Sequence, residues 1–183
     1  MILGYAGKFL EANLSTENIK DIEFDDDVLK DYVGGRGLAA KILWDRLGSK
    51  WEKVDPLGLE NILLFLTGPL TGYFPGGRIC VSGKSPQSNG MVGSTVGGEF
   101  GVELRCAGYD GIIVTGKSEK PVYLAIKDSD AEIRDAIHVW GKDAKQTVAM
   151  LTKEGREHLK KRYPIYGEWK EPAILYVGPA GEN

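Results

Sequence analysis

Two short stretches carry residue types suited to an anionic ligand. Gly93-x-x-x-Gly97-Gly98-x-x-Gly101 precedes a predicted helix beginning near Glu99. Small residues there let a ligand approach backbone N–H groups at a helix start, where negative charge is favoured. The same spacing suits a tight turn with no ligand. Some fifteen residues earlier, Gly76-Gly77-Arg78 sets a guanidinium directly after two residues that permit close approach. Arginine is a planar, bidentate partner for phosphate. A surface arginine at a strand start is the plainer alternative. If the two loops converge, they frame one planar, anionic ligand.

Other candidates are weaker. Gly111 to Ser118 fits the phosphate-loop pattern G-x-x-x-x-G-K-[ST] letter for letter. Its interior is Ile112, Ile113, Val114 and Thr115, all strand formers, and Pro121 follows where a helix should begin. It reads as a strand ending in a turn. Ser85 has no evident base, and His138, in an Ile-His-Val-Trp run, reads as a packed histidine. Asp25 to Asp27 reads as a helix start, not a metal site. Cys80 and Cys106 read as buried free thiols. With two cysteines and two histidines, a four-ligand zinc or iron–sulfur site is hard to assemble. The residues describe a cradle without reactive groups of its own.

The elements that must position this cradle follow from periodicity. Lys8–Leu14 and Ile19–Phe24 flank a turn at Ser15–Asn18 and predict a hairpin. Asp25–Asp27 opens a short helix through Tyr32, glycines 34, 35 and 37 break it, and Leu38–Leu47 forms a second helix with Trp44 half-buried. Strands are predicted at Ile62–Leu66, Arg78–Ser82 and Ile112–Thr115, with a loop at Lys84–Asn89, an extended piece near Met91 and a helix at Glu99–Cys106. A hairpin about Asp128–Asp130, a helix Asp143–Lys153 stopped by Gly155, an irregular insertion Glu157–Trp169 and a last strand Ala173–Val177 complete the chain.

Glycine supplies 25 of the 183 residues, about double the usual 7 %. Thirteen of them lie between Thr67 and Gly116, the span that holds both loops. The net charge of −3, with no basic stripe, argues against a nucleic-acid binder. The longest aliphatic or aromatic run, Ile62–Leu66, is far short of the ~20 residues that span a bilayer. Met1–Leu10 lacks a signal-peptide pattern, so a cytoplasmic protein without membrane contact is expected.

Seven motifs occur in one order: Gly34-Gly35-Arg36-Gly37-Leu38-Ala39, Gly68-Pro69-Leu70-Thr71-Gly72, Gly76-Gly77-Arg78, Lys84-Ser85-Pro86, Gly97-Gly98-x-Phe100-Gly101-x-Glu103-Leu104, Ala107-Gly108-Tyr109-Asp110 and Gly178-Pro179-Ala180-Gly181-Glu182-Asn183. Together they resemble the N-terminal domain of tungsten-dependent aldehyde:ferredoxin oxidoreductases, from about Gly4 to Asn183. The resemblance implies an α+β fold of two intertwined, related β-rich halves with short helices packed on the sheets. It implies one domain over 1–183, the tungstopterin-cradling base of a longer enzyme of which this chain is a fragment, inactive by itself.

The implied activity is oxidation of aldehydes to carboxylates, with ferredoxin as electron acceptor. The implied cofactor is a tungstopterin: tungsten, or molybdenum, held by two pterins whose phosphates share magnesium. A [4Fe–4S] cluster is expected only in the absent C-terminal part. Carried over by position, Arg78 matches a cofactor-contacting arginine, and Gly97 and Gly98 match the cofactor loop. Thr95 stands where a family example has an asparagine whose main-chain carbonyl is directed toward magnesium. Threonine supplies the carbonyl but no amide. Expected partners are ferredoxin, the remaining domains of the same protein and a second copy of the chain. Two rivals stay open: a non-enzymatic pterin-binding scaffold, and a relative acting on another substrate such as an aromatic acyl-CoA.

Overall fold

The computed structural model describes residues 3–74, 77–162 and 171–182. Asn13 sets the first turn: its Oδ1 accepts the N–H groups of Ser15 and Thr16 at 3.0 and 3.1 Å. That reverses β1 (Phe9–Asn13) into β2 (Asn18–Ile22). Asp26 and Asp27 lie in the first turn of α1 (Asp26–Tyr32), where their charge suits the helix dipole. α2 (Gly35–Leu47) and a 3₁₀ turn (Gly48–Lys53) lead to β3 (Ile62–Leu66). β4 (Ile79–Lys84) and β5 (Met91–Val96) form a second hairpin, followed by α3 (Phe100–Cys106) and β6 (Gly111–Thr115). β7 (Val122–Lys127) pairs with β8 (Asp130–Asp135), and α4 (Ala144–Arg162) and α5 (Pro179–Glu182) follow.

Six strands form one mixed sheet in the order β2-β1-β6-β3-β4-β5. Among the described residues its one parallel pair is β1–β6, with Phe9 opposite Gly111. Each hairpin–helix–strand run sends its last strand beside the other run's hairpin: β6 lies against β1, and β3 against β4. Side chains alternate across the sheet, so consecutive apolar residues serve two cores. Phe9, Leu64 and Ile113 pack with Leu38, Ile42 and Leu43 of α2. Leu10, Phe65 and Ile112 pack with Leu104 of α3 and with Leu124, Ile126 and Ala131 of the β7–β8 hairpin. A strand that serves two cores is a continuous apolar run, which is why Ile62–Leu66 and Gly111–Thr115 look as they do, although Leu63 stays exposed. The chain divides into two compact units, Met1–Glu119 with Leu124–Ile133, and Lys120–Tyr123 with Arg134–Asn183.

Several expectations are corrected. The glycines at 35 and 37 do not break the chain before α2; they lie inside its first turn. A Cβ on Gly37 would stand 2.3 Å from the Tyr32 carbonyl oxygen, so only glycine lets α2 start so close to the end of α1. Trp44 is 74 % exposed, not half-buried. β4 runs to Lys84, and the piece near Met91 is a full six-residue strand. α4 continues through Gly155 to Arg162, so Glu157 to Arg162 is helical. Gly155 is not a stop: a Cβ there would lie 2.7 Å from Pro172 Cγ, so it makes room for the crossing chain. The rest of the expected insertion, up to Trp169, lies outside the described residues. Ala173–Val177 is not a strand; this short apolar run finds no partner strand among the described residues. No helix is long and apolar enough to cross a membrane among the described residues.

Candidate functional site

The β4–β5 hairpin brings the two glycine loops together. Its loop is closed by Ser85, whose Oγ accepts the N–H groups of Gln87 and Ser88, each at 3.3 Å. The register pairs Ile79 with Val96 and Cys80 with Thr95. Arg78 therefore enters the hairpin where Gly97 leaves it. Arg78, Thr95, Gly97 and Gly98 are all exposed.

Backbone hydrogen bonding sets the direction of the Thr95 carbonyl. Ser85 N–H donates to the Gly90 carbonyl at 2.8 Å, so residues 85 and 90 form a hydrogen-bonded position of the ladder. Such positions alternate along an antiparallel pair. Cys80–Thr95, five steps on, is then a non-bonded pair, and Thr95 turns its N–H and C=O away from β4. β5 is the last strand of the sheet among the described residues, so both groups point off its outer edge. A main-chain carbonyl is a hard oxygen donor of the kind magnesium accepts. Among the described residues, no group of three or more His, Cys, Asp or Glu is arranged to hold a metal ion.

Internal packing explains some of the loop glycines and leaves one unexplained. A Cβ on Gly77 would come 2.5 Å from Val102 Cγ2 on α3, so that position is glycine for packing. Gly98 has a φ of +111°, which side chains disfavour. Gly97 has neither reason: its φ is ordinary, and nothing lies within 4 Å of an added Cβ. Among the described residues nothing fills the space above Gly97, as a flat ligand lying on backbone requires.

The arginines divide by partner. Arg46 forks onto Glu11 at 3.0 and 2.9 Å, Arg105 pairs with Asp110, Arg134 lies 3.8 Å from Glu154, and Arg156 pairs with Glu171. Among the arginines whose side chains are described, Arg36 and Arg78 meet no carboxylate. An unpaired arginine beside an open glycine loop suits a phosphate.

The other motifs build the support. Asp110 is 1 % exposed; its carboxylate accepts Ala6 N–H and Gly7 N–H at 3.0 and 2.6 Å and pairs with Arg105. Burial lowers the Arg105 pKa from its usual value. The Tyr109 hydroxyl lies 3.1 Å from Asp21 Oδ1 and 3.0 Å from the Ser129 carbonyl. Burial first, then Asp21, raises its pKa. Lys84 is buried, and its ammonium donates to the carbonyls of Trp51 and of Val54, the latter at 2.8 Å. These residues hold the sheet and the hairpin, not the open face.

Residues singled out elsewhere fare differently. Gly111–Thr115 is strand β6 in mid-sheet, as its β-formers require, not a phosphate loop. Cys80 is buried as expected, but Cys106, at the end of α3, is exposed. His138 is not packed: its side chain is 41 % exposed, and its Nε2 lies 3.3 Å from Glu154 in the second unit. Tyr123 donates to the same Glu154 at 2.5 Å, and burial is the first cause of its raised pKa. An open groove of about 770 Å³ runs along α4, lined by Val148, Arg156 and Tyr176 among others. It contains none of the sequence-predicted site residues.

Comparison with known proteins bears on the whole chain. The family described as "Aldehyde ferredoxin oxidoreductase, N-terminal domain" matches residues 9–183. A Pyrococcus furiosus protein named "Aliphatic sulfonate oxidoreductase, WOR-like subunit" is 52 % identical over 179 residues, covering 98 % of this chain and 29 % of the relative. The "Tungsten-containing aldehyde ferredoxin oxidoreductase" of the same organism is 45 % identical over 183 residues, covering 98 % and 28 %. A solved structure, "Active site complex BamBC of Benzoyl Coenzyme A reductase in complex with 1,5 Dienoyl-CoA", superposes with a TM-score of 0.78 at 41 % identity, covering 86 % of this chain and 24 % of that one. The chain thus spans less than a third of the length of these curated relatives.

Proposed function

The chain belongs to the aldehyde ferredoxin oxidoreductase N-terminal domain family, and from that membership we propose that it forms the base on which a bis-pterin tungsten cofactor rests in a larger oxidoreductase. The observation that carries this is the pairing of an open glycine, Gly97, with an arginine lacking a carboxylate, Arg78, at one end of the β4–β5 hairpin. Arg78 neutralises a cofactor phosphate through its planar fork. Gly97 and Gly98 let the flat ring lie against backbone. The Thr95 carbonyl, off the outer edge of β5, is offered to magnesium. The two hairpin–helix–strand runs are read as related halves, intertwined because each lends its last strand to the other. Residues 1–183 act together as this cradle.

The chemistry the cofactor supplies when bound is two-electron oxidation of an aldehyde to a carboxylate, with electrons passing to ferredoxin through a [4Fe–4S] cluster held elsewhere in the protein. This chain's residues bind and orient. A second reading keeps the cradle and changes the substrate to an aliphatic sulfonate; the 52 % relative of that name favours it. The test is Arg78→Gln in the full-length protein, with tungsten and pterin counted per chain. Content should fall several-fold at unchanged melting temperature. Wild-type content would overturn the proposal. Oxidation of an aldehyde against that of an alkyl sulfonate, by the intact enzyme, separates the two substrates.

A further inference from the structure

The stem of Arg36 lies across Gly93. A Cβ on Gly93 would stand 2.9 Å from Arg36 Cγ, 3.0 Å from Nε and 3.1 Å from Cδ, so any side chain at 93 would push the arginine away. Gly93 is in β5, two residues before Thr95 and four before Gly97, and residues two apart share a face of a strand. That face is the one carrying α2, since Gly35 of α2 looks onto Cys80, the partner of Thr95. Arg78 belongs to the same face by alternation, because its neighbour Ile79 packs in the opposite core. The two arginines without carboxylates thus stand on one face of one hairpin. The points on β5 they lie beside, residues 93 and 97, are about 13 Å apart along the strand.

Among the described residues, no carboxylate accounts for a cation at position 36. It lies in the first turn of α2, which holds no acidic residue and where the helix field opposes positive charge. Arg46, near the other end of α2, is held by Glu11. We propose that Arg36 is a second phosphate-holding side chain of the cradle, its guanidinium kept over β5 by the missing side chain at Gly93. This rests on the cofactor-base reading above and adds a residue and a reason for Gly93. With two arginines on one face, the site suits a ligand bearing two phosphate groups, not one.

The test uses the full-length protein, and the readout is the rate at which pterin and tungsten are lost on gel filtration in moderate salt. Arg36→Gln should lose cofactor at least ~10-fold faster than wild type, the order expected for one charge-assisted hydrogen bond. Arg36→Lys should fall between them, keeping charge without the fork. Gly93→Ala should shift in the same direction by displacing the stem. Arg46→Gln should retain cofactor as wild type does. If Arg36→Gln and Gly93→Ala both retain cofactor at the wild-type rate while Arg78→Gln loses it, this inference fails and the cofactor-base reading stands. If Arg78→Gln also retains it, both fail. Should Arg36→Gln not fold, Arg36→Lys and Gly93→Ala decide the matter.

Discussion

The Asp110 carboxylate accepts the backbone N–H of Gly7 at 2.6 Å, clamping the chain ahead of β1 to the entry of β6. The same carboxylate takes Ala6 N–H and pairs with Arg105, and the Asp110 carbonyl receives Thr67 Oγ1 at 2.7 Å. Asp110→Asn keeps the shape but removes the charge facing Arg105. Stripping one partner from a buried ion pair is costly. The expected loss is about 3 kcal/mol, seen as a lower midpoint in urea denaturation. An unchanged midpoint would refute the clamp.

Glu11 provides a pH signature. Burial pushes its pKa up, but the Arg46 fork and Lys20 outweigh that and hold it below the usual carboxylate value. A lowered folded pKa contributes stability above the unfolded value, about 4.3, and that contribution fades as pH falls through the folded one. Glu11→Gln should therefore cost about 1 kcal/mol at neutral pH and progressively less in acid. A deficit that persisted undiminished below the carboxylate range would contradict this account.

Lys84 sets two effects against each other. Lys84→Met relieves a buried cation but leaves the Val54 carbonyl without this donor and the Trp51 carbonyl with only the Val54 N–H at 3.3 Å. Each unmet buried acceptor costs about 1–3 kcal/mol. The expected result is net destabilisation of about 2 kcal/mol, measurable by thermal unfolding.

Gly155→Ala tests a glycine inside a helix. Propensity alone favours alanine there by about 1 kcal/mol. The contact with Pro172 Cγ opposes it, since a Cβ would stand 2.7 Å away. Overpacking of this kind costs about 1–3 kcal/mol. Alanine should therefore give no stabilisation, and residues 171–178 should become more susceptible to limited proteolysis. A gain in stability would show that the crossing segment yields freely.

Gly97→Val separates fold from function. Nothing lies within 4 Å of an added Cβ, so stability should change by less than about 0.5 kcal/mol. Tungsten and pterin content of the full-length protein should nevertheless drop several-fold. Unchanged content would remove Gly97 from the cradle.

Much of this is legible in the sequence, for reasons particular residues make plain. Ile62–Leu66 and Gly111–Thr115 are strands because short β-rich runs bounded by turn residues leave little choice. The convergence of Gly77-Arg78 and Gly97-Gly98 stands only as a possibility in the sequence, because the six-residue strand β5 that pairs them is not evident there. What escapes the sequence is decided by contacts distant along the chain. The α2 start at Gly35 and the passage of α4 through Gly155 look like breaks to local propensity, and tertiary neighbours reverse both. Ala173–Val177 is a short apolar run like a buried strand but has no partner strand among the described residues. Arg36 is silent in the sequence because only folding sets it on Gly93.

The parallel pairing of β1 with β6 also dictates when the fold can form. Phe9 meets Gly111, so β1 has β2 beside it but lacks its other neighbour in the sheet until about a hundred further residues have emerged. At 5–20 residues per second that is a wait of roughly 5–20 s. Closing so long a span is slow compared with closing a hairpin. Through that interval Leu10 lacks the Leu104, Tyr109 and Ile112 it packs with. Newly made β1–β2 is thus a natural client for a ribosome-associated chaperone, and a slower codon after Thr115 would give the strand time to find its place.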